Sequence, residues 1–309
     1  MTLLIVMPER PEDAHRLAAD VQNLDRGIDA RVWPEAGDPE EVEMIVAWRQ
    51  PQGLWSSFPN LRLVASFGAG VESLVGDADL PANVAVVRTV DGALAHGMAE
   101  YVVTAIADWR RGWTSYRKDQ DLGRWRPRSY SFACTVLVLG MGRMGSGVVR
   151  SLEAVGHRVL GWRRSGKALN GVEGFSGRSG LEAALPEADV VVCLLPLTPD
   201  TEGLLEGTLF SRMKKDSLLI NVGRGAHLVE EDLIPALESG RPGHAVLDVF
   251  RREPLPEDHP FWKHPCITIT PHVAALTDPK GAAERIVENW RRLQSGETLV
   301  DLVDRGRGY

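Results

Sequence analysis

Cysteine is scarce in this chain, with three among 309 residues: Cys134, Cys193 and Cys266, each inside an apolar run. They have no metal-ligand spacing and no disulfide framework, so they read as small buried hydrophobes of a reducing compartment. Long apolar runs are missing too: none approaches the ~18 residues of a membrane span. The apolar opening MTLLIVMPER is too short for a signal peptide and has no basic stretch before it. There is no basic excess either, because the arginine pairs are scattered among acids and the net charge is −7. Nucleic acid and membrane are therefore not expected partners. Repeats and low-complexity tracts are absent. The balance, 25% charged and 44% hydrophobic, is that of an ordinary soluble protein, and a cytoplasmic enzyme is expected. The length exceeds one small core and suits two domains.

What the chain does have is one organising stretch, Thr135–Ser165: an apolar run, a glycine-rich turn, an amphipathic helix pattern and a second apolar run. Gly140, Gly142 and Gly145 stand at G-x-G-x-x-G spacing directly after the run Thr135–Leu139. That context points to a dinucleotide. One glycine serves the tight turn, one lets backbone approach a pyrophosphate, and one allows close helix-on-strand packing. Arg143 and Met144 lie between them, at a helix start whose N–H groups suit phosphates. The run His157–Trp162 is followed by Arg163, Arg164 and Ser165, with no carboxylate to take a ribose hydroxyl. Arginine there suits a 2′-phosphate, so NADPH is the expected cofactor, with NADH as the alternative.

Short apolar runs at Leu3–Met7, Met44–Ala47, Leu61–Ser66 and Val84–Arg88 alternate with helix-like or turn segments. This reads as a first, smaller parallel α/β unit. In His96–Lys118, Met98, Val102, Ala105, Trp109, Trp113 and Tyr116 recur at helical steps. One long helix is expected there, either on its own core or bridging to a domain or second subunit. Six strand candidates follow: Thr135–Leu139, His157–Trp162, Asp189–Leu195, Ser217–Val222, His244–Val249 and Ile267–Thr270. They match a doubly wound sheet. The helical pattern Lys280–Gln294 returns to the first unit. The expectation is an α/β protein of two domains, each a parallel sheet with flanking helices. Residues 1–96 plus 276–309 form a discontinuous substrate domain and 97–275 a larger Rossmann dinucleotide-binding domain.

Ligands of open α/β sheets bind beyond the carboxyl ends of the strands. There the sequence places Leu195, Pro196 and Thr201, then Val222, Gly223 and Arg224, then Asp248 and Glu253, and finally Pro271 and His272. The segments LVLGMGRMG, LLPLTPDTEGLL, NVGRGAHLVEEDLIPALESG, AVLDVFRREPLP and ITPHVA, in this order, resemble the D-2-hydroxyacid dehydrogenase family over nearly the whole chain. FGAGVES at Phe67–Ser73, AWR at Ala47–Arg49 and DRGRGY at Asp304–Tyr309 resemble its NADPH-preferring glyoxylate/hydroxypyruvate reductases.

The resemblance implies reduction of a small 2-oxo acid, and the residue types suit that chemistry. His272 is the implied proton donor, since an imidazole's ordinary pKa near ~6.5 lets it cycle at neutral pH. Glu253 would orient the ring and favour its charged form, while Arg224 would hold the carboxylate and carbonyl oxygen. Asp248 either reaches the nicotinamide, tunes Glu253 and His272, or is a buried structural carboxylate; the resemblance favours the cofactor. Ala69 and Gly70 would offer N–H groups to the substrate carboxylate, and Trp48 and Arg49 would narrow the pocket. No metal is expected. A homodimer through the helix near 97–118 is expected. A dinucleotide-sensing regulator, or a dehydrogenase of a larger 2-oxo acid, is the competing reading.

Overall fold

Short apolar runs become strands wherever a parallel sheet buries both their faces. The computed structural model describes residues 2–90, 92–130, 133–164 and 171–308. Two compact units arise, Met1–Leu94 with Thr277–Tyr309, and Ala95–Leu276.

In the first unit the elements are β1 (Thr2–Val6), α1 (Pro11–Leu24), β2 (Asp29–Val32), β3 (Val42–Ala47), β4 (Leu63–Ser66), α2 (Glu72–Val75) and β5 (Ala85–Arg88). The strands form a parallel sheet in the order β2-β1-β3-β4-β5. Every residue of β1 is buried. Helix α1 starts on Pro11 with Glu12 and Asp13 in its first turn, a favourable match of acid to the helix dipole. It buries Ala14, Leu17, Ala18 and Val21 against Ala282, Ala283, Ile286, Val287 and Trp290 of the C-terminal helix Pro279–Ser295. Asp278 caps that helix by accepting from the Lys280 and Gly281 N–H groups.

The second unit carries α3 (Gly92–Arg111, less its first three residues), α4 (Trp113–Asp121), β6 (Thr135–Leu139), α5 (Arg143–Ala154), β7 (Arg158–Arg163), β8 (Glu173–Ser176), α6 (Gly177–Ala184), β9 (Val190–Cys193), α7 (Gly207–Arg212), β10 (Leu218–Asn221), α8 (Glu230–Ser239), β11 (His244–Leu247) and β12 (Ile267–Ile269). The sheet order is β12-β11-β10-β9-β6-β7-β8, all parallel. Strand order reverses beside β6, the topology of a doubly wound nucleotide-binding sheet. Apolar clusters cover both faces.

Three expectations are corrected. Strands β2 and β8 lie at sheet edges and are built from DARV and EGFS, too polar to read as apolar runs. The long helix expected over His96–Lys118 is two helices, because Gly112 takes φ 68° and breaks it. Its apolar face also ends early: Met98 and Val102 are buried and Trp109 packs on its own unit's core, while Trp113 is 61% exposed. No described helix is long and apolar enough to cross a membrane.

Candidate active site

Strands β10, β11 and β12 are parallel neighbours, so their carboxyl ends lie along one edge of the sheet. The chain leaves β10 through Gly223-Arg224-Gly225, β11 through Asp248 to Glu253, and β12 through Thr270 to His272. These loops touch. A Cβ on Gly225 would lie 1.9 Å from the Phe250 carbonyl carbon, so only glycine lets the arginine loop pack against the loop that bears Glu253.

Glu253 Oε2 stands 2.7 Å from His272 Nδ1, and its Oε1 accepts the Phe250 N–H at 3.0 Å. Burial pushes the Glu253 carboxyl up. The hydrogen bonds from His272 and Phe250, with the charges of His272 and Arg224, outweigh that effect and hold it below its ordinary value. With Nδ1–H directed at the carboxylate, Nε2 is the atom that can exchange a proton. His272 has φ 55°, a left-handed conformation that a non-glycine residue adopts only when its surroundings fix it.

Asp248 supplies the fixing. Its carboxylate, 1% exposed, accepts from Thr270 Oγ1 and from the Val273 and Ala274 N–H groups. Its carbonyl accepts the His272 N–H at 2.9 Å. Thr270 Oγ1 in turn lies 2.6 Å from the Tyr101 hydroxyl of α3. Burial, together with the charge of Asp248, pushes the Tyr101 phenol up to about 12 despite the Thr270 bond, so it stays protonated. The geometry around Asp248 is that of a brace for the histidine turn.

The glycine turn behaves as the three-glycine reading requires. Gly140 has φ 104°, and a Cβ there would lie 2.8 Å from the Leu194 carbonyl oxygen. A Cβ on Gly145 would lie 1.9 Å from the Gly140 carbonyl oxygen, whereas one on Gly142 would meet nothing within 4 Å. No side chain caps α5 at Gly142, Arg143 beside it is exposed, and Met144 is half-buried. An uncapped helix start with open space before it fits a pyrophosphate. Leu195, Val222 and Gly223 are buried at the ends of β9 and β10. Thr201 Oγ1 donates to the Pro196 carbonyl at 2.7 Å and accepts the Thr198 N–H, which shapes the loop after β9.

Other expected residues sit differently. Trp162 is 6% exposed within the sheet core, its indole N–H donating to the Gly177 carbonyl. Arg164 pairs with Asp200 at 2.7 Å. Arg163 is half-buried, and no ion pair holds it among the described residues. Ser165 and Tyr309 lie outside the described residues.

Trp48, Arg49, Ala69 and Gly70 belong to the first unit. Trp48 packs on that unit's core, and a Cβ on Gly68 would come 3.3 Å from its ring. Arg49 has φ 51°, and its guanidinium pairs with Glu9 at 2.7 Å, both exposed. Ala69 and Gly70 are partly exposed. No group of His, Cys, Asp and Glu among the described residues can hold a metal ion.

His227 reads in the sequence only as a histidine near a helix start, with no pairing to mark it. His227 is fully buried, and its ring joins Arg224 to Pro196; a histidine three residues after an arginine is no recognisable pattern.

Comparison with known proteins follows this geometry. The sequence profile for "D-isomer specific 2-hydroxyacid dehydrogenase, NAD binding domain" matches residues 103–274. Glyoxylate/hydroxypyruvate reductase A of Serratia proteamaculans (strain 568) is 38% identical over 288 residues, covering 90% of this chain and 91% of that protein. The D-isomer specific 2-hydroxyacid dehydrogenase of Xanthobacter autotrophicus Py2, solved with NADPH and MES, superposes with a TM-score of 0.93 at 37% identity, covering 99% of each chain. The NADPH-dependent glyoxylate/hydroxypyruvate reductase of Sinorhizobium meliloti, solved with NADP and sulfate, gives 0.91 at 35% identity, covering 100% of each chain.

Proposed function

The chain belongs to the D-isomer specific 2-hydroxyacid dehydrogenase family, and on that premise we propose that it reduces small 2-oxo acids with NADPH, glyoxylate to glycolate and hydroxypyruvate to D-glycerate. The observation that carries the reading is the Glu253–His272 pair at 2.7 Å, on the same sheet edge as Arg224. NADPH, when bound, supplies the hydride for the carbonyl carbon.

The remaining work falls to this chain's own groups. Arg224 takes the substrate carboxylate and carbonyl oxygen in its planar fork, which fixes the carbonyl carbon and stabilises the alkoxide as it forms. His272 delivers a proton from Nε2 to that oxygen. Glu253 accepts from Nδ1 and so fixes the orientation of the ring, leaving Nε2 for the transfer. Gly140, Gly142 and Gly145, with Arg143, Met144, Leu195, Pro196, Thr201, Val222 and Gly223, hold the dinucleotide, and Arg163 reads its 2′-phosphate. Trp48, Arg49, Ala69 and Gly70 are our assignment for the substrate side. We assign the first unit as substrate domain and the second as NADP-binding domain, in a cytoplasmic enzyme.

A second copy of the chain is our proposed partner. The supporting feature is the exposed apolar set Trp113, Leu122, Trp125 and Tyr130 on and after α4, so the contact lies beyond α3 itself; light scattering of the purified protein checks it.

Purified protein mixed with NADPH and glyoxylate, hydroxypyruvate, pyruvate or phenylpyruvate tests the reading by loss of NADPH absorbance. Turnover is expected with glyoxylate and hydroxypyruvate. Turnover confined to phenylpyruvate would replace the substrate class, and none at all with intact NADPH binding would make the protein a dinucleotide sensor.

A further inference from the structure

His227 is fully buried, and it is absent from the mechanism above. Its Nδ1 lies 3.0 Å from the backbone nitrogen of Arg224 and 3.7 Å from Cys193 Sγ. Its Nε2 lies 3.2 Å from the carbonyl oxygen of Pro196. The Arg224 N–H can only donate and the Pro196 carbonyl can only accept, which fixes the roles of the two ring nitrogens. Nδ1 carries the lone pair and Nε2 the proton. The ring is therefore a neutral strut between the loop after β10 and the loop after β9. Its immediate surroundings are crowded: a Cβ on Gly223 would come 3.0 Å from the ring, so the strut has no room to turn. Asn221 completes the cradle, donating from Nδ2 to the Arg224 carbonyl at 3.1 Å.

We infer that His227 is a positioning residue, which holds the backbone of Arg224 through Nδ1 and the cofactor-side loop at Pro196 through Nε2, and so sets the substrate clamp and the cofactor seat in register. This inference rests on the roles given to Arg224 and Pro196 under the proposed function. Backbone hydrogen bonds join the two loops further on, from the Gly203 N–H to the Ala226 carbonyl and from the Leu205 N–H to the His227 carbonyl, but none runs between Pro196 and Arg224 among the described residues, so the ring is the tie at that end. Phenylalanine or leucine would fill the space and tie neither loop.

Two isosteric halves of the ring separate the two ties. In His227→Asn the side-chain oxygen stands near the place of Nδ1 and nothing reaches Pro196. In His227→Gln the terminal amide reaches the place of Nε2, and the tie to Arg224 is lost. NADPH affinity is read by fluorescence titration without substrate, and kcat and KM for glyoxylate are read at saturating NADPH. His227→Asn is expected to keep KM for glyoxylate within about twofold and weaken NADPH binding about tenfold. His227→Gln is expected to do the reverse, raising KM about tenfold, as the loss of one well-placed hydrogen bond does. A mere packing defect would lower kcat through the active fraction and leave both constants alone. His227→Leu with both constants within twofold of wild type, or identical effects of the Asn and Gln variants, overturns the inference. Absence of glyoxylate turnover in the wild type overturns the functional reading instead, while the titration still reports on the Pro196 tie.

Discussion

Gly145 is packed so tightly against Gly140 that a methyl group on it would stand 1.9 Å from the Gly140 carbonyl oxygen, although one on Gly142, between them in sequence, would meet nothing within 4 Å. The three glycines thus answer to different forces. Gly145→Ala forces backbone apart and is expected to cost about 1–3 kcal/mol, several degrees in Tm. Gly142 has φ −81° and ψ −161°, an extended conformation open to alanine. Gly142→Ala is expected to melt with the wild type and to bind NADPH at least tenfold more weakly. Calorimetry and fluorescence titration on both variants check the contrast; equal stability loss would remove the argument for an open phosphate seat.

Removing the His272 imidazole takes away the proton donor and nothing that touches the dinucleotide phosphates. His272→Ala is expected to lower kcat by about 10²–10⁴ with NADPH affinity little changed. Glu253→Gln keeps a partner at Nδ1 but removes the carboxylate that orients the ring. Its rate should fall less than that of His272→Ala. Full turnover by His272→Ala would mean another group protonates the substrate.

Arg164 is already paired with Asp200, which leaves Arg163 as the cation with the stronger claim on a 2′-phosphate. Charged hydrogen bonds contribute about 1.5–3 kcal/mol each, so Arg163→Asp should reverse or erase a preference of about a hundredfold for NADPH over NADH. Arg164→Ala should change it far less. KM for both cofactors in both variants decides; an unchanged ratio in Arg163→Asp places the discrimination elsewhere.

Much of this was legible beforehand because parallel strands buried on both faces leave continuous apolar runs, and because chemistry sits where those runs end. The runs ending at Val222, Val249 and Thr270 led directly to Arg224, Glu253 and His272. Edge strands β2 and β8 were illegible, since one open edge and a partly wet face relax the demand for apolar residues. Gly112 reads as tolerable in a helical pattern until its φ is known. His227 and the Tyr101–Thr270–Asp248 chain act through partners 22 to 169 residues away in sequence or through backbone atoms, and no spacing rule encodes such ties.

Asp248 receives three donors into its carboxylate, and in Asp248→Asn one amide hydrogen would face a backbone N–H. The expected cost is about 1–3 kcal/mol of stability, with kcat reduced because the His272 turn loosens. NADPH affinity should hold within a few-fold. A large fall in that affinity, with kcat preserved, would show that Asp248 serves the nicotinamide directly.

Glu253 also makes the fold's stability depend on pH. Its folded-state pKa lies below the ordinary 4.5, so the folded protein favours the carboxylate more than the unfolded chain does. The stabilisation is complete above 4.5 and is lost as the pH falls through the lower, folded-state value. Its source is the bonds from His272 and Phe250 and the charges of His272 and Arg224, which exceed the cost of burial. The wild type should therefore melt above Glu253→Gln at pH ~6, and the gap should narrow as the pH falls below 4.5. Thermal melts of both proteins across that range provide the measurement. A gap that stays constant with pH would mean that the difference arises from packing, and that the Glu253 charge is not held by its neighbours.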